Sequence, residues 1–247
     1  MNNSRNSFAR IVAGAIFALV CLAQTQAQAA LLNAAGQSLL ETKLGEGSLS
    51  LTNVYTKTSG DTSFNWHAAA DNIGRTFTLM EVTGATLANG SGTFAGPMII
   101  GGYNPLSWDS SGNYNAPFIR DAFLFNLTQG TFLDQSLAGP GYYQTYNESF
   151  FGPIFGGGYD IFVYHDMNSG DIFPYSYDAD GLDPIVSLNI LGTLGYWNFT
   201  VGSVETYTIA NVSAPALSAV PLPPSAILFG TALLGLAGIR RRKRKAA

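Results

Sequence analysis

Six aspartates fall between Asp160 and Asp183. Asp166-Met-Asn168-Ser-Gly-Asp171 and Asp178-Ala-Asp180-Gly-Leu-Asp183 each set oxygen ligands at alternating positions of a glycine-containing loop. Hard cations such as Ca²⁺ take their ligands from such clusters. Asp166, Asn168, Asp171, Asp178, Asp180 and Asp183 are therefore the candidate metal ligands. Neither stretch is an EF-hand, since the glycine is misplaced and the closing glutamate is missing. The competing reading is a solvated acidic loop. His165 precedes Asp166, the order of a base and its orienting acid, but no Gly-x-Ser-x-Gly elbow supplies a nucleophile. His67 has no partner histidine at ligand spacing, and its expected place is packed or capping on a helix. Gly156-Gly157-Gly158 resembles a ligand cradle but leads into a strand, so a tight turn or sheet contact is expected. Gly101-Gly102 reads the same way. Tyr103, Trp108, Tyr142, Tyr143 and Tyr146 are able to stack on sugars or to build a β core.

Charge narrows the partners. All 16 Asp and Glu lie between Glu41 and Glu205, where only Lys43, Lys57, Arg75 and Arg120 oppose them. Four cations against 16 carboxylates leave this body at −12, which the whole-chain value of −4 conceals. So acidic a surface repels phosphate backbones, and nucleic acid is excluded as a partner.

The remaining cations sit at the ends. Arg5 and Arg10 precede an apolar stretch from Ile11 to Ala23, and Ala27-Gln28-Ala29 is an A-x-A cleavage site. Residues 1–29 thus read as a signal peptide. Cleavage there removes Cys21, so the mature chain carries no cysteine and no disulfide. At the other end, Val220-Pro221-Leu222-Pro223-Pro224 leads into an apolar run from Ala226 to Ile239 and then six basic residues from Arg240 to Lys245. Fourteen residues at about 1.5 Å each reach only about 21 Å, short of a ~30 Å hydrocarbon core. A membrane-seeking but disposable helix is expected, with its cations held on the cytoplasmic side. This three-part tail resembles the PEP-CTERM sorting signal of Gram-negative bacteria. Leu222 stands where the type motif has glutamate. The resemblance implies an exosortase-type processing enzyme as partner and transient anchoring in the inner membrane through residues 226–239.

Between the ends, residues 30–210 form one domain-sized body, followed by a small-residue linker at 211–219 and the sorting segment at 220–247. Alternating stretches at Phe77–Val82, Ala122–Leu127, Tyr159–Tyr164, Trp197–Val201 and Val204–Ile209 are bounded by Gly, Pro, Asn or Asp. They read as strands. One helix is expected around Asp61–Asp71, capped by Asp61 or Thr62 and filled by Phe64, Trp66 and Ala68–Ala70. The expected class is mainly β (α+β), with antiparallel strands in two packed sheets edged by a few helices.

Five blocks carry a further likeness, in order along the body. They are Leu51-Thr-Asn-Val-Tyr55 followed by Phe64-Asn-Trp-His67, Asp71-Asn-Ile-Gly74 and Thr76-Phe-Thr-Leu79, then Ile99–Ser111 with its Gly101-Gly102-Tyr103 and Trp108, Asp121-Ala-Phe-Leu-Phe-Asn-Leu127, Phe151–Ile161 with its Gly156-Gly157-Gly158, and Phe199–Tyr207 with its internal Glu205. Together they resemble the TLDc domain. The resemblance implies a two-sheet sandwich and a binding role without an agreed catalytic centre. It marks Gly101, Gly102, Trp108, Gly156, Gly157, Gly158 and Glu205 as functional or structural positions.

The expected function is that of an exported, non-enzymatic cell-envelope or matrix protein that binds polysaccharide or a surface protein. Two alternatives stay open at this point. One is a secreted hydrolase or oxidant-protective enzyme built on His165 with Asp166 or Glu205. The other is a Ca²⁺-dependent structural component. No cofactor other than Ca²⁺ is expected.

Overall fold

A computed structural model describes residues 30–116, 120–137, 139–178 and 188–211. The signal peptide, Asp180, Asp183, residues 212–219 of the linker and the sorting segment lie outside the described residues.

Two α-helices are present among the described residues. The first, α1 (Ala34–Leu44), has no broad apolar stripe and is specified by its ends. Asn33 accepts from the Gly36 amide at 2.8 Å, and Gly45, at φ 71, returns its N–H to Glu41 O. The sequence reading did not anticipate it. The second, α2 (Ser63–Ala70), falls inside the expected Asp61–Asp71 window. Thr62 and Asn65 form a reciprocal capping box there, with the Thr62 amide donating to Asn65 Oδ1 at 2.9 Å. Its buried residues are Ser63, Trp66, His67 and Ala70, one helical face at three- and four-residue spacing.

The rest is antiparallel β, as expected. β1 (Leu49–Thr56), β2 (Thr76–Leu87), β3 (Thr93–Asn104), β5 (Phe123–Asn126) and β6 (Thr131–Gln135) build one arm with β12 (Trp197–Asn211). β4 (Asn113–Asn115), β7 (Thr145–Asn147), β8 (Ile154–Phe155), β9 (Ile161–Val163) and β10 (Ser169–Ile172) build the other, and β11 (Tyr177–Asp178) lies at an edge. The hydrogen-bonded order is β11-β6-β5-β3-β2-β12-β10-β9-β8-β7-β4, with β1 also on β12. β12 is where the path divides. Its start pairs with β10 (Thr200 opposite Ser169), and its end pairs with β1 (Ile209 opposite Leu51).

Alternation along the central strands feeds two cores. Phe77, Leu79, Tyr103, Phe125, Tyr207 and Ile209 turn to one side and meet Leu40 of α1. Met80, Val82, Ile100, Leu124 and Val204 turn to the other, where Trp66, Trp108 and Phe155 gather. Each such side chain, fully buried, contributes about 1.5–3 kcal/mol. A Cβ on Gly102 would strike the Phe155 ring, so this glycine is what lets β8 close over β3. Among the described residues, both cores draw on side chains between Leu31 and Ile209. No helix among the described residues is long and apolar enough to cross a membrane.

Candidate functional site

The capping box fixes where α2 begins, and that places His67 and Asp71 one turn apart at its end. His67 is 5% exposed. Its Nδ1 lies 2.7 Å from Asp71 Oδ1, and its Nε2 lies 3.2 Å from Glu148 O and 3.1 Å from Phe151 O. Both ring nitrogens therefore face acceptors inside the protein, and neither is offered to a substrate. Ser110 Oγ donates to Asp71 Oδ2 at 2.7 Å, so the carboxylate is held at both oxygens. Asn72 follows at φ 59, a left-handed conformation that asparagine tolerates better than most residues, with its N–H on Trp108 O at 2.8 Å.

These groups line a shallow cleft of about 430 Å³ together with Phe64, Ala68 and Ser149. Phe64 is 53% exposed and Phe150 55% exposed. The Phe150 ring stacks on His165 with centroids 4.3 Å apart and planes 3° from parallel, and Phe64 stands edge-on to His165 at 5.0 Å. A second aromatic group, Tyr114 with Tyr143 at 4.8 Å and Tyr146 at 4.6 Å, lies on β4 and β7 and the turn before β7. Burial, with Tyr159 beside it, pushes the Tyr114 hydroxyl up to about 12.

Of the aspartates that suggested a cation site, Asp166 and Asp171 accept hydrogen bonds from within the protein. Asp171 is buried and accepts from Tyr164 Oη at 2.6 Å, from Asn198 Nδ2 at 2.6 Å and from Tyr196 Oη. Asp166 Oδ1 accepts the Asn168 amide at 3.0 Å, which ties a local turn. Asp178 is buried at the start of the undescribed stretch. Asp160 is also buried, and its carboxylate accepts the amides of Tyr175, Ser176 and Tyr177 at 2.8–2.9 Å. Among the described residues no three His, Cys, Asp or Glu side chains gather as a metal site. His165 does not pair with Asp166. Its Nδ1 lies 2.8 Å from Ser63 Oγ, which itself donates to Ser149 O at 2.7 Å.

The glycines make room for neighbours. A Cβ on Gly156, Gly157 or Gly158 would meet Asp160, Tyr143 and Tyr175 respectively, and a Cβ on Gly101 would meet Thr78 O and Phe125. Trp108 is fully buried and donates from Nε1 to Thr76 Oγ1 at 2.9 Å.

No family model matches this chain, and no curated protein matches it either.

Glu205 sits on the central strand at 3% exposure. Its Oε2 accepts the Leu31 amide at 2.9 Å and Tyr207 Oη at 2.7 Å. It therefore anchors the start of the body to its last strand. Glu205→Ala is expected to cost about 1–3 kcal/mol by stranding these donors. Hydrogen exchange at Leu31 should accelerate, and the Tyr207 hydroxyl, pushed up to about 12 by burial and by Glu205, should titrate lower. Unchanged exchange at Leu31 would remove the anchoring role.

Sequence reasoning missed Asp71, Asn72 and Ser110 as cleft residues. The signal for Asp71 was its four-residue step from His67 at a helix end. Ser110 carried no signal, because it arrives from the loop after β3. Phe64 was expected to fill the helix interior, but the buried face at 63, 66, 67 and 70 leaves it outside.

Proposed function

We propose that this chain is an exported cell-envelope or matrix protein whose TLDc-like two-sheet domain binds polysaccharide or a surface protein and performs no catalysis. A signal peptide ending near Ala29 delivers it, and the segment from Val220 to Ala247 is read by an exosortase-type enzyme after transient anchoring through residues 226–239. The observation that carries the binding reading is the histidine geometry. The histidine lining the cleft has both ring nitrogens directed at internal acceptors, and the other is engaged by Ser63 and stacked on Phe150. That leaves the cleft with an oriented carboxylate and an exposed ring, which suit recognition. The packing of Phe155 against Gly102 brings β8 over β3, as a two-layer sandwich requires, and supports the TLDc-like reading.

The test is co-sedimentation of residues 30–211 with exopolysaccharide from the producing organism, with and without Ca²⁺. Retention of the protein in the pellet is expected. Loss of retention on chelation would direct attention to Asp166 and Asp171, whereas no retention in either condition would overturn matrix binding through polysaccharide.

A further inference from the structure

We propose that the cleft beside α2 binds a neutral sugar residue within a polysaccharide chain, with Phe64 as the stacking platform and Asp71 and Asn72 as the groups that read its hydroxyls. The inference rests on the matrix-binding reading and names its site and ligand class.

A pyranose ring has a face of C–H groups and a rim of hydroxyls, so it needs an exposed aromatic face beside fixed polar groups. Phe64 supplies the first. Its ring is steadied edge-on by His165 at 5.0 Å and by Phe150 at 6.2 Å, so little freedom remains to be lost on binding. Asp71 supplies the second. Its side chain is only 15% exposed, and His67 and Ser110 hold one oxygen each. Each carboxylate oxygen keeps a further lone pair for a sugar hydroxyl. Asn72 stands at the lip with a side-chain carboxamide that makes no hydrogen bond among the described residues, so both a donor and an acceptor are open. Its left-handed backbone, at φ 59, is a local strain retained at the cleft edge.

The lining decides the ligand class. Among the described residues no lysine or arginine lines the cleft, and Asp71 is the one carboxylate that does. A uronate, a phosphate or a nucleic acid would meet an unscreened negative charge there. One carboxylate is too few for a divalent cation. An apolar peptide side chain would use Phe64 but would cover Asp71 and Asn72 without pairing them, which is unfavourable. The cleft's volume of about 430 Å³ falls in the small-ligand range of roughly 300–1,000 Å³. Because it is shallow, it suits a residue inside a chain whose neighbours pass out on both sides.

The experiment measures binding of the body, residues 30–211, to amorphous cellulose, dextran and galactan as neutral probes and to alginate as an acidic one, beside the native exopolysaccharide. At least one neutral probe should bind and alginate should not. Phe64→Ala should weaken binding about tenfold. Asn72→Gly keeps the left-handed backbone without strain while deleting the amide, so it should weaken binding several-fold with an unchanged or raised melting temperature. That combination separates recognition from folding. Undiminished binding by Phe64→Ala, or binding to alginate alone, overturns the proposal. If the native exopolysaccharide retains the body while every neutral probe fails, this inference falls and the matrix-binding reading stands. If nothing is retained, both fall.

Discussion

Asp160→Ala is expected to remove a large share of the protein's stability. The carboxylate is fully buried behind Gly156, where a side chain would strike it, and it faces the amides of Tyr175, Ser176 and Tyr177. Removing the acceptor exposes up to three buried donors to loss, at about 1–3 kcal/mol each, for a total on the order of 3–6 kcal/mol. Domains of this kind are stable by about 5–15 kcal/mol. Asp160→Asn tests the charge separately. Burial pushes the Asp160 carboxyl from 3.8 up to about 7, against the pull of the three amides. The folded state therefore holds a proton that the unfolded chain has released between those two values. The stability it contributes is fully present below about pH 4 and is lost as pH rises to about 7. Across that window, wild type should lose roughly 4 kcal/mol relative to Asp160→Asn, which cannot titrate. Denaturant melts at several pH values check this, and parallel profiles for the two proteins would refute it.

The same residue shows where the sequence was legible and where it was not. Strands with clean alternation were readable, because each has one face against a core. Phe77–Val82 lies inside β2, and Tyr159–Tyr164 contains β9. The segments at Trp197–Val201 and Val204–Ile209 looked like two strands because Gly202-Ser203 interrupts the pattern. They are one strand, β12, with its register shifts between Thr200 and Val204 opposite β2. The bulge absorbs the break while neighbours on both sides keep the pairing continuous. α1 escaped notice because Ala34-Ala-Gly-Gln-Ser has no apolar period. Its caps and the docking of Leu40 decide it. For the acidic run, spacing was visible but partners were not. Asp171 is satisfied by Tyr196 and Asn198, 25 and 27 residues away in sequence. Asp160 is satisfied by backbone amides, which composition never reveals. A sequence shows which oxygens are near one another in the chain, and only the fold shows which are already spoken for.

Trp108 poses the same question for an aromatic residue, and it has a decisive variant. As a sugar-stacking residue it would need an open ring face. In the structure it is fully buried, edge-on to Trp66 at 5.0 Å and to Phe155 at 5.3 Å, with its indole N–H on Thr76. Trp108→Ala would empty the junction between α2, β2 and β8 and strand the buried Thr76 hydroxyl. Large-to-small changes of this kind cost about 3–5 kcal/mol. Trp108→Phe keeps most of the ring volume and gives up mainly the hydrogen bond, so it should cost about 1–2 kcal/mol. Urea denaturation of residues 30–211 would rank the variants as wild type, Phe, then Ala. The cleft offers a second readout, because Trp108 O accepts the Asn72 amide and sets the lip conformation. The phenylalanine variant should therefore fold and keep its sugar binding. A phenylalanine variant that stayed folded but had lost binding would instead show that the indole's hold on Thr76 is what fixes the lip.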